Sequence, residues 1–131
     1  MSTQSEVIII PLTLPGLNEY VNAERANRYK GAHMKKQAQK DIEIFIKQAI
    51  NKGTLHRHET QCRLEITWIE PNNKRDGDNI SFATKFIQDA LVEMGVFPDD
   101  NRKFINGLKH EFMTNQRDPR IIVEIKEKKN D

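Results

Sequence analysis

One cysteine, Cys62, stands among 131 residues, so no disulfide can close within the chain, and the residue reads as a small core side chain in a strand. Long hydrophobic runs are missing too. The longest covers residues 7–10, far short of the about 20 apolar residues of a membrane-spanning helix, and there is no secretory leader, so a soluble, cytoplasmic chain without membrane contact is expected. No charge of one sign dominates: 31% of residues are charged, yet the formal net charge is only +2. Duplex-binding proteins are often strongly basic, so any such role here depends on local clusters such as Lys74-Arg75 and Arg102-Lys103. There is no Gly-x-x-x-x-Gly-Lys phosphate loop, no internal repeat and no low-complexity linker. The length suits a single domain, 1–131, with one core and no separate regulatory module.

Periodicity supplies the elements. Residues 7–13 are mostly β-branched or apolar, which predicts a strand covered on both faces, with Pro11 pushing at least its end toward an edge or bulge. Residues 17–30 are irregular, and Arg25, Arg28 and Lys30 alternate there with Tyr20 and Tyr29, a mixture suited either to phosphate contact and stacking or to an ordinary solvated connection. Ala38, Ile42, Phe45, Ile46, Ala49 and Ile50 then recur at helical spacing, predicting a helix over residues 32–52 stopped by Gly53, with Lys35, Lys36 and Lys40 on its solvated face. His56 and His58 lie near Cys62, but without a fourth ligand at useful spacing for zinc. Cys62, Leu64, Ile66 and Trp68 alternate with polar residues, the period of a half-buried strand. Residues 103–112 and 121–125 read as two closing strands joined as a hairpin, which supplies an antiparallel pair. Residues 1–5 and 127–131 read as flexible. The predicted order is β-α-β-α-β-β, an α/β (α+β) fold with a small mixed sheet and two main helices.

The chemistry concentrates in residues 74–102. Asp76 and Asp78 flank Gly77 at an i, i+2 spacing, so a turning backbone can aim both at one point, and Asp78 or Asn79 suits the cap of the following helix. That helix buries Ile80, Ala83, Ile87, Ala90, Leu91 and Met94. Asp78, Lys85 and Asp89 lie on its opposite edge if it is continuous, and Gly95 and Pro98 stop it ahead of Asp99 and Asp100. Taken singly, these acids also read as a turn, a cap and a polar loop, and Lys85 as a surface partner of Asp89. A calcium-binding loop counted from Asp76 would need glycine at Ser81 and glutamate at Ile87, so that reading fails. The paired acids lie at opposite ends of the helix, so only tertiary folding or a second subunit can bring them together.

Arg75-Asp76-Gly77-Asp78-Asn79, then Lys85-x-x-x-Asp89-Ala90-Leu91, then Gly95-Val96 and Asp99-Asp100 resemble, in order and spacing, the signature of the RusA-type Holliday junction resolvases, metal-dependent endonucleases often carried by prophages. Leu17-Asn18-Glu19-Tyr20 and Ala23-Glu24-Arg25-x-Asn27-Arg28-Tyr29 look like the opening of the same family. Three extra residues separate Asn79 from Lys85 relative to some members. The resemblance implies that Asp76, Asp78 and Asp100 are catalytic aspartates and metal ligands, that Lys85 is the catalytic lysine, and that the subunit works as a close homodimer on branched DNA in recombination and repair. Mg2+, with Mn2+ as a substitute, fits an all-carboxylate ligand set and can supply the nucleophile and charge stabilisation that phosphodiester cleavage needs. Arg25, Arg28, Lys74 and Arg75 are the candidate DNA contacts. A non-cleaving DNA-junction-binding protein is the alternative.

Overall fold

The computed structural model describes residues 5–128. Chain order is β1 (Ser5–Ile10), α1 (Leu17–Ala26), α2 (Arg28–Lys52), β2 (Cys62–Glu70), α3 (Gly77–Ser81), α4 (Thr84–Glu93), β3 (Ile105–Thr114) and β4 (Arg120–Glu127). The four strands form one mixed sheet in the order β1-β4-β2-β3, an α+β fold. β2 and β3 are parallel, joined through α3 and α4, while β4 runs antiparallel to both β2 and β1.

One sheet face is covered. Ile8, Ile10, Leu64, Ile66, Trp68, Ile121, Val123 and Ile125 share a core with Ala38, Ile42 and Ile46 of α2 and with Phe86, Ile87, Ala90 and Leu91 of α4. The other face is charged where it reaches water: Glu65 accepts ion pairs from Arg63 at 2.8 Å and Lys126 at 3.2 Å. β2 alternates as its sequence predicts, and Gly53 (φ 78°) and Gly95 (φ 79°) both adopt the left-handed geometry that ends α2 and follows α4.

Four expectations change. β1 is an edge strand covered on one face only, with Val7 and Ile9 exposed. Residues 17–30 are helical rather than irregular: α1 buries no residue fully, so it shows no apolar stripe, and Asn27 separates it from α2 with an extended backbone while its Oδ1 accepts the Tyr29 N–H at 2.8 Å. Close passage of α1 over α2 needs Gly31, where a Cβ would meet Glu24 Cγ at 2.5 Å. The closing hairpin does not exist, because β3 and β4 lie on opposite sides of β2. A βαβ crossover places β3 in parallel beside β2, and the chain then steps over the end of β2 to the other edge of that strand, past Asn115, whose N–H donates to Glu70 O at 2.8 Å. Ser5 and Glu127, expected to be flexible, belong to paired strands, and Lys128 N–H donates to Gln61 O at 2.8 Å. That expectation for residues 1–4 and 129–131 lies outside the described residues. No described helix is long and apolar enough to cross a membrane.

Candidate active site

The Asp76-Gly77-Asp78 turn opens α3 at the end of the β2 connection. Asp76 holds the N-cap position with extended backbone (φ −76°, ψ 159°), its carbonyl accepting the Ile80 N–H at 3.1 Å, and its carboxylate caps nothing. Both Asp76 and Asp78 are exposed, so both carboxylates are available. Asn79 caps a different helix from the one expected: its Oδ1 accepts the Asn18 N–H at 3.0 Å, which ties the first turn of α1 to the turn.

Arg75 anchors the same turn from below. Its Nε and Nη2 donate to the two oxygens of Glu70 at 2.8 and 2.9 Å, and its Nη1 donates to Leu14 O and Glu19 Oε1, both at 3.0 Å. Four of its five N–H groups are thus committed. Glu70 is buried at 6% exposure, and the hydrogen bond to Glu70 raises the Arg75 pKa above its ordinary value. Gly16 is required here, since a Cβ would lie 2.5 Å from Asn79 Oδ1 and 2.9 Å from Arg75 Nη1.

The second group gathers around Lys85. The helix expected to run unbroken from Asp78 is interrupted at Phe82 and Ala83, where Ala83 and Phe86 N–H donate three residues back and Thr84 Oγ1 donates to Ser81 O at 2.6 Å. Lys85 therefore lies in the first turn of a new helix, α4, and Asp78 does not share its edge through a common wheel. Lys85 Nζ lies 3.1 Å from Asp89 Oδ1 and forms a second, shorter ion pair with Asp100. The hydrogen bond from Lys85 holds the Asp100 carboxyl below the usual carboxylate range, and Asp100 in turn raises Lys85. Asp99 organises the loop, accepting the Asp100 N–H at 2.7 Å and Asn101 Nδ2 at 3.1 Å. Lys85, Asp89, Asp99 and Asp100, with Gln39 and Glu93, line one open cleft.

The fold thus unites Lys85 with Asp100 and Asp89, and sets Asp76 beside Asp78. It does not merge the two groups: among the described residues no cluster of three or more His, Cys, Asp or Glu can hold a metal ion within one subunit. Of the candidate DNA contacts, Arg25, Arg28 and Lys74 are exposed, and Arg28 Cζ lies 5.3 Å from the centre of the Tyr29 ring. Glu70 escaped sequence reading altogether, and the contacts of Asn79 with α1 and of Glu19 with Arg75 were not foreseen. The signal was weak: Glu70 ends an alternating strand five residues before Arg75. His56 and His58 face carboxylates, with His58 Nε2 2.6 Å from Glu6 and its Nδ1 2.9 Å from Glu127. Cys62, buried and near Glu127 and Glu6, has its thiol pushed up to about 11.

No curated protein matches this chain. The family model described as endodeoxyribonuclease RusA matches residues 11–126 of the 131, a span that contains the turn at Asp76, the Lys85 helix and the Asp100 loop, and the chain belongs to that family of endodeoxyribonucleases.

Proposed function

We propose that this chain is a metal-dependent endodeoxyribonuclease that resolves four-way (Holliday) junctions by paired symmetric nicks, as a homodimer, during recombination and repair. The observation that carries the reading is the Lys85–Asp100 pair inside a RusA-family chain. It joins a basic group to one of the three aspartates in an open cleft, where a bound cation would offset Asp89, Glu93 and Asp99 and let a phosphate approach. Exposed carboxylates are the oxygen donors that Mg2+ or Mn2+ takes, and such an ion supplies a nucleophilic water and charge stabilisation. Asp76, Asp78 and Asp100 do not form one group inside a subunit, and in this reading a second copy would bring its Asp100 to the Asp76–Asp78 pair. Arg25, Arg28 and Lys74 would bind phosphates, and Arg75, with one N–H left, would chiefly hold the turn.

The separation of the acids favours a second reading, a junction-binding protein that does not cut. A labelled synthetic four-way junction distinguishes the two. With Mg2+ or Mn2+ the wild type yields nicked duplexes, and Asp78→Asn binds but does not nick. Cleavage by Asp78→Asn at the wild-type rate would overturn the site assignment, while wild-type binding without nicking would establish the second reading.

A further inference from the structure

Strand β3 has one paired edge, against β2, and at the edge of the sheet its other side is open. Natural edge strands are normally blunted against pairing, yet β3 exposes Leu108 at 47%, Phe112 at 46% and Met113 at 57%. Leu108, His110 and Phe112 stand opposite the buried Leu64, Ile66 and Trp68 and so share the helix-covered face. Lys109 and Glu111 project from the other face. Read in either direction from His110, the strand runs to a charge and then to a large apolar side chain, and the two charges are opposite in sign.

We propose that a second copy of this chain pairs antiparallel with β3, edge to edge, about a two-fold axis at His110. It rests on the homodimer proposed above for the choice of occupant. In that register Lys109 faces the partner's Glu111, Glu111 faces the partner's Lys109, Leu108 packs against the partner's Phe112 and Phe112 against the partner's Leu108, four favourable cross-strand pairings. Sliding by two residues sets Lys109 against the partner's Lys109, or Glu111 against the partner's Glu111; sliding by one moves the apolar side chains to the wrong face. The two imidazoles that meet at the axis do not repel. Trp68 Nε1 donates to His110 Nδ1 at 3.0 Å, which leaves that nitrogen unprotonated, and burial lowers the His110 pKa. The opposite edge, β1, also exposes Val7 and Ile9, but its one charge, Glu6, is committed to His56 and His58 and so does not fix a register there. Phe112 touches the Asp76-Gly77-Asp78 turn, so this pairing turns that segment toward the partner's β3 and the loop before it.

Sedimentation equilibrium of the full chain at micromolar concentration and low salt tests this with Lys109→Glu, Glu111→Lys and their equimolar mixture, each fold verified by its melting curve. Each single variant should dimerise at least 10-fold more weakly than wild type, and the mixture should regain the wild-type affinity, because only a heterodimer restores opposite charges across the axis. An intrachain Lys109–Glu111 contact (3.9 Å) is not restored by mixing. Single variants that dimerise normally, a mixture that fails to recover, or a monomeric wild type overturns the interface. Junction nicking by the wild type is scored separately: nicking with a failed charge swap sinks only the interface, and recovered dimers without nicking sink only the endonuclease reading.

Discussion

The Phe112 ring lies against position 77 so closely that its Cε2 and Cζ would be 3.1 Å from a Cβ there, and a glycine separates Asp76 from Asp78. An ordinary carbon–carbon contact is about 3.5–4.0 Å, so any larger residue must displace the ring or the turn. Two opposing effects meet, because alanine is favoured over glycine in a helix by about 1 kcal/mol.

The prediction is therefore a coupling. Gly77→Ala should gain nothing or lose up to about 1 kcal/mol in wild type, and should stabilise by up to about 1 kcal/mol in a Phe112→Ala background. Urea unfolding of the four members of this cycle gives the coupling energy, and additive effects would mean that the contact does not constrain the turn.

Lys85 is more than half exposed, with its ammonium between Asp89 and Asp100, so Lys85→Ala should change stability by no more than about 0.5 kcal/mol. Junction nicking should nonetheless fall steeply. The Asp100 carboxyl, held low chiefly by Lys85, should titrate at higher pH in the variant, which carboxyl NMR can follow. Unimpaired nicking would reduce Lys85 to a surface partner of two acids.

Much of this was legible because local signals agree with the fold. Cys62, Leu64, Ile66 and Trp68 alternate and are buried, and Gly53 and Gly95 take the left-handed backbone expected of helix stops. What periodicity could not show is what depends on distant partners. α1 packs with no buried residue, so it leaves no stripe. Strand order is set by the crossover through α3 and α4, which claims one edge of β2 for β3 and leaves the other to β4. Asn79 and Glu70 act on residues 61 positions back and five positions ahead, contacts without a pattern. The two pairs of acids do lie at opposite ends of a helical segment, but the break at Phe82 and Ala83 undoes the shared edge of Asp78 and Lys85.

Arg75 and Glu70 should behave as one unit. Removing the guanidinium leaves a carboxylate at 6% exposure without its charge partner, which typically costs about 3–5 kcal/mol. Arg75→Lys should recover only part of this, since an ammonium cannot reproduce the two-pronged contact. Denaturant unfolding should rank wild type above Arg75→Lys above Arg75→Ala, and equal stability of all three would show that the turn is held some other way.

The last prediction concerns acid. Glu6, on β1, accepts the His56 N–H at 3.0 Å and lies 2.5 Å from His56 Nδ1 and 2.6 Å from His58 Nε2. Burial alone would raise its pKa, but the hydrogen bonds from His56 and His58 outweigh that and bring it below its ordinary 4.5. A carboxyl whose pKa is lower folded than unfolded binds fewer protons in the native state, so its stabilisation is fully present above pH 4.5 and is lost as pH falls through the depressed folded value. Glu6→Gln should consequently be less stable than wild type at pH 7, by about 1–3 kcal/mol for lost charged hydrogen bonds. The gap should narrow as the wild type is acidified from pH 5 toward pH 3, because the variant has no carboxylate left to protonate at this position. Urea unfolding at several pH values across that window measures both curves, and parallel curves would show that Glu6 does not tie the 54–61 connection to the edge strand.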